Sequence, residues 1–568
     1  MRTGRVIAAV GLLLLGPAVR AESRSPLPRS GGGEAQGEGA PGEGAALRAA
    51  VEALSDEDVA TARGLLEPLL ARHPDDRAVL GAAGVLRFQE QRYAESVELL
   101  QRAGGATSGG LDWLKLARAA QEITRDYVQA ESEHFRVSTP KGKEEVLVPY
   151  LLETLEAQRA ALREDLGWVP PGKVTVEVLQ STRDLARLST LTVEEIRTSG
   201  TIALCKFDKL MIVSPKALWK GYDWLDTAAH EYTHQVITQR TRNQTPIWLH
   251  EGLAKWEESR WRGKGGQSFS PYAGALLREA VQKNQLVTFE QMHPSMAKLP
   301  SQEAAALAFA EVEVAVEYLR ATGGAPLVQK VLALVADGKP ADQAVSEAMG
   351  VPFARFLAGW KQAMATRPMP AGGDVELRRL RFQDDPKHAA GEHAEWAEIP
   401  DPRARSFARL GEIMRERGRW AAARVELGKA MKRVGPRYPV LTSKFAMAAM
   451  LSGHDAEAQK ALEENVRSHP HYPALQVNLG RLRLRHDDWA GARGAFLLAN
   501  QVDPFDPEIH AGLARAAEGL GDGAAASREA RFAQILAGGP AGHGPQGESP
   551  HRMPQGGDPH PQGGSPHP

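Results

Sequence analysis

Asp226-Thr227-Ala228-Ala229-His230-Glu231-Tyr232-Thr233-His234-Gln235-Val236 is the stretch on which the reading of this chain turns. No Pro or Gly interrupts it, and Leu225, Ala228, Ala229, Val236 and Ile237 supply apolar contacts for a buried helix. On an α-helix, residues i and i+4 share a face, so His230 and His234 project together. Two imidazoles so placed can hold one Zn²⁺ at about 2.0–2.1 Å. Glu231 sits one position further round, where it can reach the open side of the ion and accept a proton from water.

A second helical segment follows: Pro246-Ile247-Trp248-Leu249-His250-Glu251-Gly252-Leu253-Ala254-Lys255-Trp256. A catalytic zinc needs three protein ligands and one open position, and Glu251 is placed to be the third. The turn Thr241-Arg242-Asn243-Gln244-Thr245 is long enough to reverse the chain, Gly252 lets helices approach closely, and Trp248 and Leu249 pin the second helix to the core. His250 points about 100° away from Glu251 on a helix. A surface or packing role is expected for it, with a supporting contact to a ligand as the alternative. Asp226 can cap the first helix or orient a histidine.

His230-Glu231-Tyr232-Thr233-His234 followed by Trp248-Leu249-His250-Glu251-Gly252-Leu253-Ala254 closely resembles the peptidase MA-like gluzincins. The resemblance spans about residues 130–365 and is strongest over 222–262. It implies zinc ligands His230, His234 and Glu251, one ion per chain, and Glu231 as the general base of peptide-bond hydrolysis. It also implies that an edge strand, around Ser199 to Lys206, pairs with an extended substrate. Many gluzincins carry a tyrosine or histidine on a later helix to stabilise the oxyanion. Here the helix around Gln302 to Arg320 has Phe309-Ala310-Glu311 instead, with Tyr318 and His293 as unassigned candidates.

Outside this region a period of 34 dominates. Pro402, Pro436, Pro470 and Pro504 are evenly spaced, and small and large residues recur between them, as in Gly480, Trp489, Ala492, Phe496 and Ala499. This resembles the tetratricopeptide repeat, in which helix pairs stack so that each covers its neighbour's apolar face. Proline is expected to end the second helix of each pair. Residues 403–537 are read as four pairs, and residues 46–125, with Gly84, Tyr93, Ser96, Leu100 and Ala103 at matching offsets, as about two. Between them, 126–370 reads as an α+β domain, small sheet first and helices after, with 371–402 as linker. Strands are expected at His134–Val137, Val174–Val178 and twice within Thr201–Ser214, and a helix over Glu145–Leu166. The fold class is thus a gluzincin-type α+β metallopeptidase domain flanked by all-α tetratricopeptide-repeat solenoids.

Arg2, Arg5, the apolar run Val6–Leu15 and Val19-Arg20-Ala21 read as an export signal over 1–21, which implies a periplasmic or extracellular protein. Residues 22–45 read as a flexible leader, and 538–568 as a Gly/Pro/His tail whose His543, His551, His560 and His567 are too scattered to make a site. With 70 acidic against 69 basic residues, no net field favours nucleic acid or anionic membranes, and no stretch beyond the signal is apolar enough to span a bilayer. Cys205 is the only cysteine, so no internal disulfide or thiolate-rich metal site can form; it is expected as a small buried hydrophobe. The function implied is an exported zinc metallopeptidase cleaving proteins or peptides, with protein partners on the repeats. The alternative is an envelope scaffold whose zinc domain is weak or inactive.

Overall fold

The computed structural model of the chain describes residues 42–108, 111–263, 271–293, 296, 299–300, 302–368, 382–384, 396, 399–435 and 438–538. The signal over 1–21, nearly all of the leader, most of the linker and the tail histidines lie outside the described residues.

The first helices are α1 (Glu43–Ser55), α2 (Val59–Arg72), α3 (Arg77–Gln89) and α4 (Tyr93–Ala103), followed by α5 (Trp113–Ile123). Asp58, Asp76 and Asp112 start three of them by accepting backbone N–H groups of the first turn. The small position of the repeat has a steric cause. A Cβ on Gly84 would stand 2.6 Å from Leu100 Cγ, one on Gly411 2.6 Å from Leu427 Cγ, and one on Gly480 2.7 Å from Phe496 Cε2. In each pair one helix rides directly on the large side chain of its partner.

The middle domain opens with β1 (Tyr127–Glu131) and β2 (Phe135–Pro140), then α6 (Val148–Leu166), β3 (Val174–Leu179), α7 (Thr182–Leu188), α8 (Val193–Ser199), β4 (Ala203–Lys206) and β5 (Lys209–Val213). The sheet order is β1-β2-β3-β5-β4; β2, β3 and β5 run parallel, and the two outer strands are antiparallel to their neighbours. β3 is buried along its whole length, as a central parallel strand must be. The helices α9 (Trp224–Thr241), α10 (Ile247–Glu257), α11 (Pro271–Lys283), α12 (Gln302–Ala336), α13 (Ala341–Met349) and α14 (Phe353–Thr366) follow. Gly252 does permit a close approach, but to α12 rather than α9: a Cβ there would lie 2.7 Å from the Val312 carbonyl oxygen.

The C-terminal solenoid is α15 (Pro402–Glu416), α16 (Trp420–Val434), α17 (Pro439–Leu451), α18 (Asp455–Ser468), α19 (Pro473–Arg485), α20 (Trp489–Asn500), α21 (Pro507–Gly519) and α22 (Gly523–Ala537). Pro470 and Pro504 follow the ends of α18 and α20 as expected, whereas Pro402 opens α15. A second set, Pro439, Pro473 and Pro507, also 34 apart, begins the next helix each time, where the missing N–H costs nothing.

Both solenoids are fused to the middle domain. On the N-terminal side, Lys209 is completely buried beneath the rings of Phe88 and Tyr93 and binds Glu177 at 2.7 Å and the Tyr93 hydroxyl at 2.6 Å. Removing one partner of so dry a pair costs about 3–5 kcal/mol. On the C-terminal side, three successive carbonyls reach the segment that starts α9: Asn500 O accepts the Trp224 indole N–H at 2.8 Å, Gln501 O accepts Trp224 N, and Val502 O accepts Tyr222 N, the last two at 3.2 Å. Gly221, at φ +57°, makes this possible, because a Cβ would fall 1.8 Å from Val502 O.

Gly221→Ala is therefore expected to cost about 2–3 kcal/mol through positive φ and steric overlap. Urea unfolding of the full chain should show a lower midpoint, whereas Gly172→Ala, at a position with nothing within 4 Å of the added carbon, should leave it unchanged.

Candidate metal centre

α9 starts behind Asp223 and is buried over almost every residue from Ala228 to Ile237, so the histidine face is presented inside the domain. It ends at Arg242 in the left-handed conformation, and Asn243 is left-handed too, which turns the chain sharply into α10. The reversal brings Glu251 against the histidine pair. One donor atom from each of His230, His234 and Glu251 lies within 4.8 Å of the other two, and all three residues are buried. Glu251 Oε2 is 3.7 Å from His230 Nε2 and 3.5 Å from His234 Nε2.

Those three atoms have no hydrogen-bond partner, and neither do the two carboxylate oxygens of Glu231. Buried polar atoms left unpaired cost about 1–3 kcal/mol each, so their convergence needs an explanation. A cation supplies one. Donors bonded at about 2.0–2.1 Å around a tetrahedral ion stand roughly 3.3 Å apart, close to the spacing observed. Two nitrogens and one carboxylate oxygen are also a donor set suited to zinc. The residues present fit the group.

The electrostatics agree. Burial works to raise the Glu251 carboxyl, but His234 and His230 hold it down at about 2. Burial works to lower His230, but Glu251 and Glu258 raise it to about 9. The pocket thus favours positive charge at its centre. Burial, reinforced by Glu251, pushes Glu231 up to about 8, with His230 and the backbone N–H of Cys205 acting against it.

Two supporting contacts orient the histidines. His230 Nδ1 lies 3.2 Å from Glu258 Oε2, and Glu258 in turn accepts Lys255 Nζ at 2.5 Å. His234 Nδ1 lies 2.7 Å from His250 Nδ1, the two rings stack at 4.6 Å, and His250 Nε2 is 3.2 Å from Thr238 Oγ1. Burial and the neighbouring His234 keep His250 well below its usual range, hence neutral. If His234 Nε2 keeps its lone pair for a cation, Nδ1–H donates to His250, whose Nε2–H donates to Thr238. His250 therefore braces His234 from inside the domain and does not lie at the surface. A rotation of about 100° carries it off the Glu251 face and onto the flank of α9. Glu258 went unread in the sequence, although it falls seven residues after Glu251, two turns along the same face.

Asp226 does neither job expected of it. Asp223 holds the cap position, and Asp226 accepts from the Trp261 indole at 2.9 Å and from Arg262 at 2.7 Å. Tyr318 turns toward α14, its ring 5.9 Å from that of Phe356, and His293 closes a turn on the Glu290 carbonyl. Cys205 is buried on β4, as expected. Glu311 also faces elsewhere: its Oε1 accepts Val287 N at 3.0 Å and its carbonyl accepts the Trp360 indole at 2.9 Å.

His250→Ala is expected to weaken zinc binding about 10- to 100-fold, measured by competition with a chromophoric chelator, because the imidazole it orients is freed to rotate. Glu311 gives a prediction of opposite character. Burial raises it to about 8, so the folded chain holds a proton that an unfolded chain, at 4.5, gives up. Its stabilising contribution is complete below pH 4.5 and is lost as pH rises toward 8. Glu311→Gln should accordingly gain stability over wild type at pH 8, by about 4 kcal/mol for a rise of roughly 3.5 pKa units at about 1.4 kcal/mol per unit, and gain little at pH 4.5. Thermal melts at the two pH values read the difference.

Residues 157–366 match the model of the Peptidase MA superfamily. No protein of curated function matches the chain. Among solved structures, PilF of Pseudomonas aeruginosa is 16% identical over 40% of this chain and 93% of its own, with a TM-score of 0.22. Native leukotriene A4 hydrolase of Saccharomyces cerevisiae is 12% identical over 72% of this chain and 67% of its own, at 0.28. The Cut9–Hcn1 hetero-tetramer of the APC/C is 12% identical over 88% and 80%, at 0.25. These whole-chain likenesses are slight. Residues 157–366 carry a domain of the Peptidase MA superfamily, set between two solenoids of tetratricopeptide-type helix pairs.

Proposed function

We propose that the chain is an exported zinc metallopeptidase that hydrolyses peptide bonds in proteins or peptides. One observation carries this: three buried donor atoms of His230, His234 and Glu251 converge unpaired, with the Glu231 carboxylate unpaired beside them. Export is supported by the basic start, the short apolar run and the small-residue cleavage site within residues 1–21.

His230 and His234 would hold the ion through Nε2, and Glu251 through Oε2. Zinc bound there acts as a Lewis acid toward water and carbonyl oxygen. Glu231 takes the proton of the attacking water and passes it to the leaving amine, its unpaired carboxylate standing beside the three donor atoms. β4 offers the substrate a place. It is the outermost strand of the sheet, and Val213 N bonds back to Ile202 O, so in this antiparallel register the backbone groups of Ala203 and Cys205 face away from β5. An extended peptide can add to that edge, with its scissile bond carried toward Glu231. For the solenoids we propose protein partners. Leu410, Ile413, Val425, Leu451, Leu498 and Leu520 are exposed large apolar side chains, and all lie in the C-terminal repeats.

Glu231→Gln should keep one zinc per chain while hydrolysis of a denatured protein falls about 10²- to 10⁴-fold. Wild-type cleavage should also stop with a chelator and return with zinc. Cleavage by the Gln variant at the wild-type rate would remove Glu231 from the chemistry.

A further inference from the structure

The turn joining β4 to β5 is unusual in its residues. Phe207 and Asp208 occupy both central positions with φ of 60° and 57°, where hairpins ordinarily use Gly or Asn. Such a conformation persists only when its surroundings impose it. Here the surroundings are the N-terminal solenoid. Glu57, in the α1–α2 connection and itself at φ 58°, reaches across with both carboxylate oxygens. Oε1 accepts Phe207 N at 2.8 Å, and Oε2 accepts Asp208 N at 3.2 Å. The Phe207 ring is wedged edge-on between Phe88 at 5.4 Å and Trp113 at 5.3 Å. On its other side the turn grips the metal helix, because Asp208 Oδ1 accepts Gln235 Nε2 at 2.9 Å and Gln239 Nε2 at 2.7 Å.

A continuous line of contacts therefore runs from the first helical repeat, through Glu57 and the turn, to the helix that carries His230 and His234. β4 hangs from that turn and packs along α9, the helix that carries Glu231. We infer that Glu57 is a positioning residue: it fixes the edge strand β4 against α9, so that the first helical repeat sets the strand to which a peptide would add. The inference rests on reading β4 as the strand that receives substrate. It gives the repeats a role apart from partner binding.

The test compares Glu57→Ala and the milder Glu57→Gln with Glu52→Gln, a change at an exposed α1 residue, all in the full-length chain. Hydrogen exchange read by mass spectrometry should be about tenfold faster over 203–213 in the Ala variant and intermediate in the Gln variant. It should be unchanged in the Glu52 control and over α10 in all three. Zinc stoichiometry should stay at one. KM for a peptide substrate should rise about fivefold or more, with kcat within twofold of wild type. Unaltered exchange over 203–213, or faster exchange with an unaltered KM, overturns the inference. If the wild-type chain binds zinc but cleaves nothing, the peptidase reading fails by itself, and the exchange measurement still decides whether Glu57 holds the strand.

Discussion

Everything in the middle domain answers to one electrostatic constraint. Two imidazoles and a carboxylate are buried and pointed at one another, with no protein group as hydrogen-bond partner for the converging atoms. Buried polar groups that converge in this way demand compensation, and the surrounding fold is arranged to hold them in place. Glu258 and His250 fix the two rings, the left-handed Arg242 and Asn243 return the chain at the right point, and Gly252 lets α12 press on α10 from behind.

The fixing does not stop at the domain's own boundary. α9 is held near its start by carbonyls of residues 500–502 and farther along by a turn that Glu57, from the first helical repeat, braces. A tetratricopeptide array is often pictured as a module on a tether. Here buried ions, indole hydrogen bonds and aromatic packing weld both arrays to the sheet and its helices. Buried charges of the Lys209–Glu177 kind tolerate little relative motion, since separating them exposes each to an apolar surrounding.

What was legible in the sequence followed the range of the interaction. The pairing of His230 with His234 came from one helical period, and Glu251, which the fold brings to them, from the next amphipathic run. The repeats came from a 34-residue spacing written in Gly and Pro. Strand β1 was missed because Tyr127–Glu131 is half exposed and does not alternate cleanly. The role of His250 was missed for a different reason. Its partner is on another helix, and only the crossing geometry of α9 and α10 decides which flank meets which. Asp226 was misread in the same way, since Trp261 and Arg262 lie more than thirty residues away and compete with the local capping role. Glu57 carried no sequence signal at all, because a carboxylate in a short connection is ordinary until a distant hairpin is brought beneath it.

The docking of residues 500–502 onto 222–224 also sets an order of events. Contacts separated by nearly three hundred positions close late in folding, because the intervening chain must be made and gathered first. Until the last solenoid has been synthesised and has settled, the histidine-bearing helix begins without its neighbours. The start of α9 therefore reaches its final packing only once the C-terminal solenoid is in place.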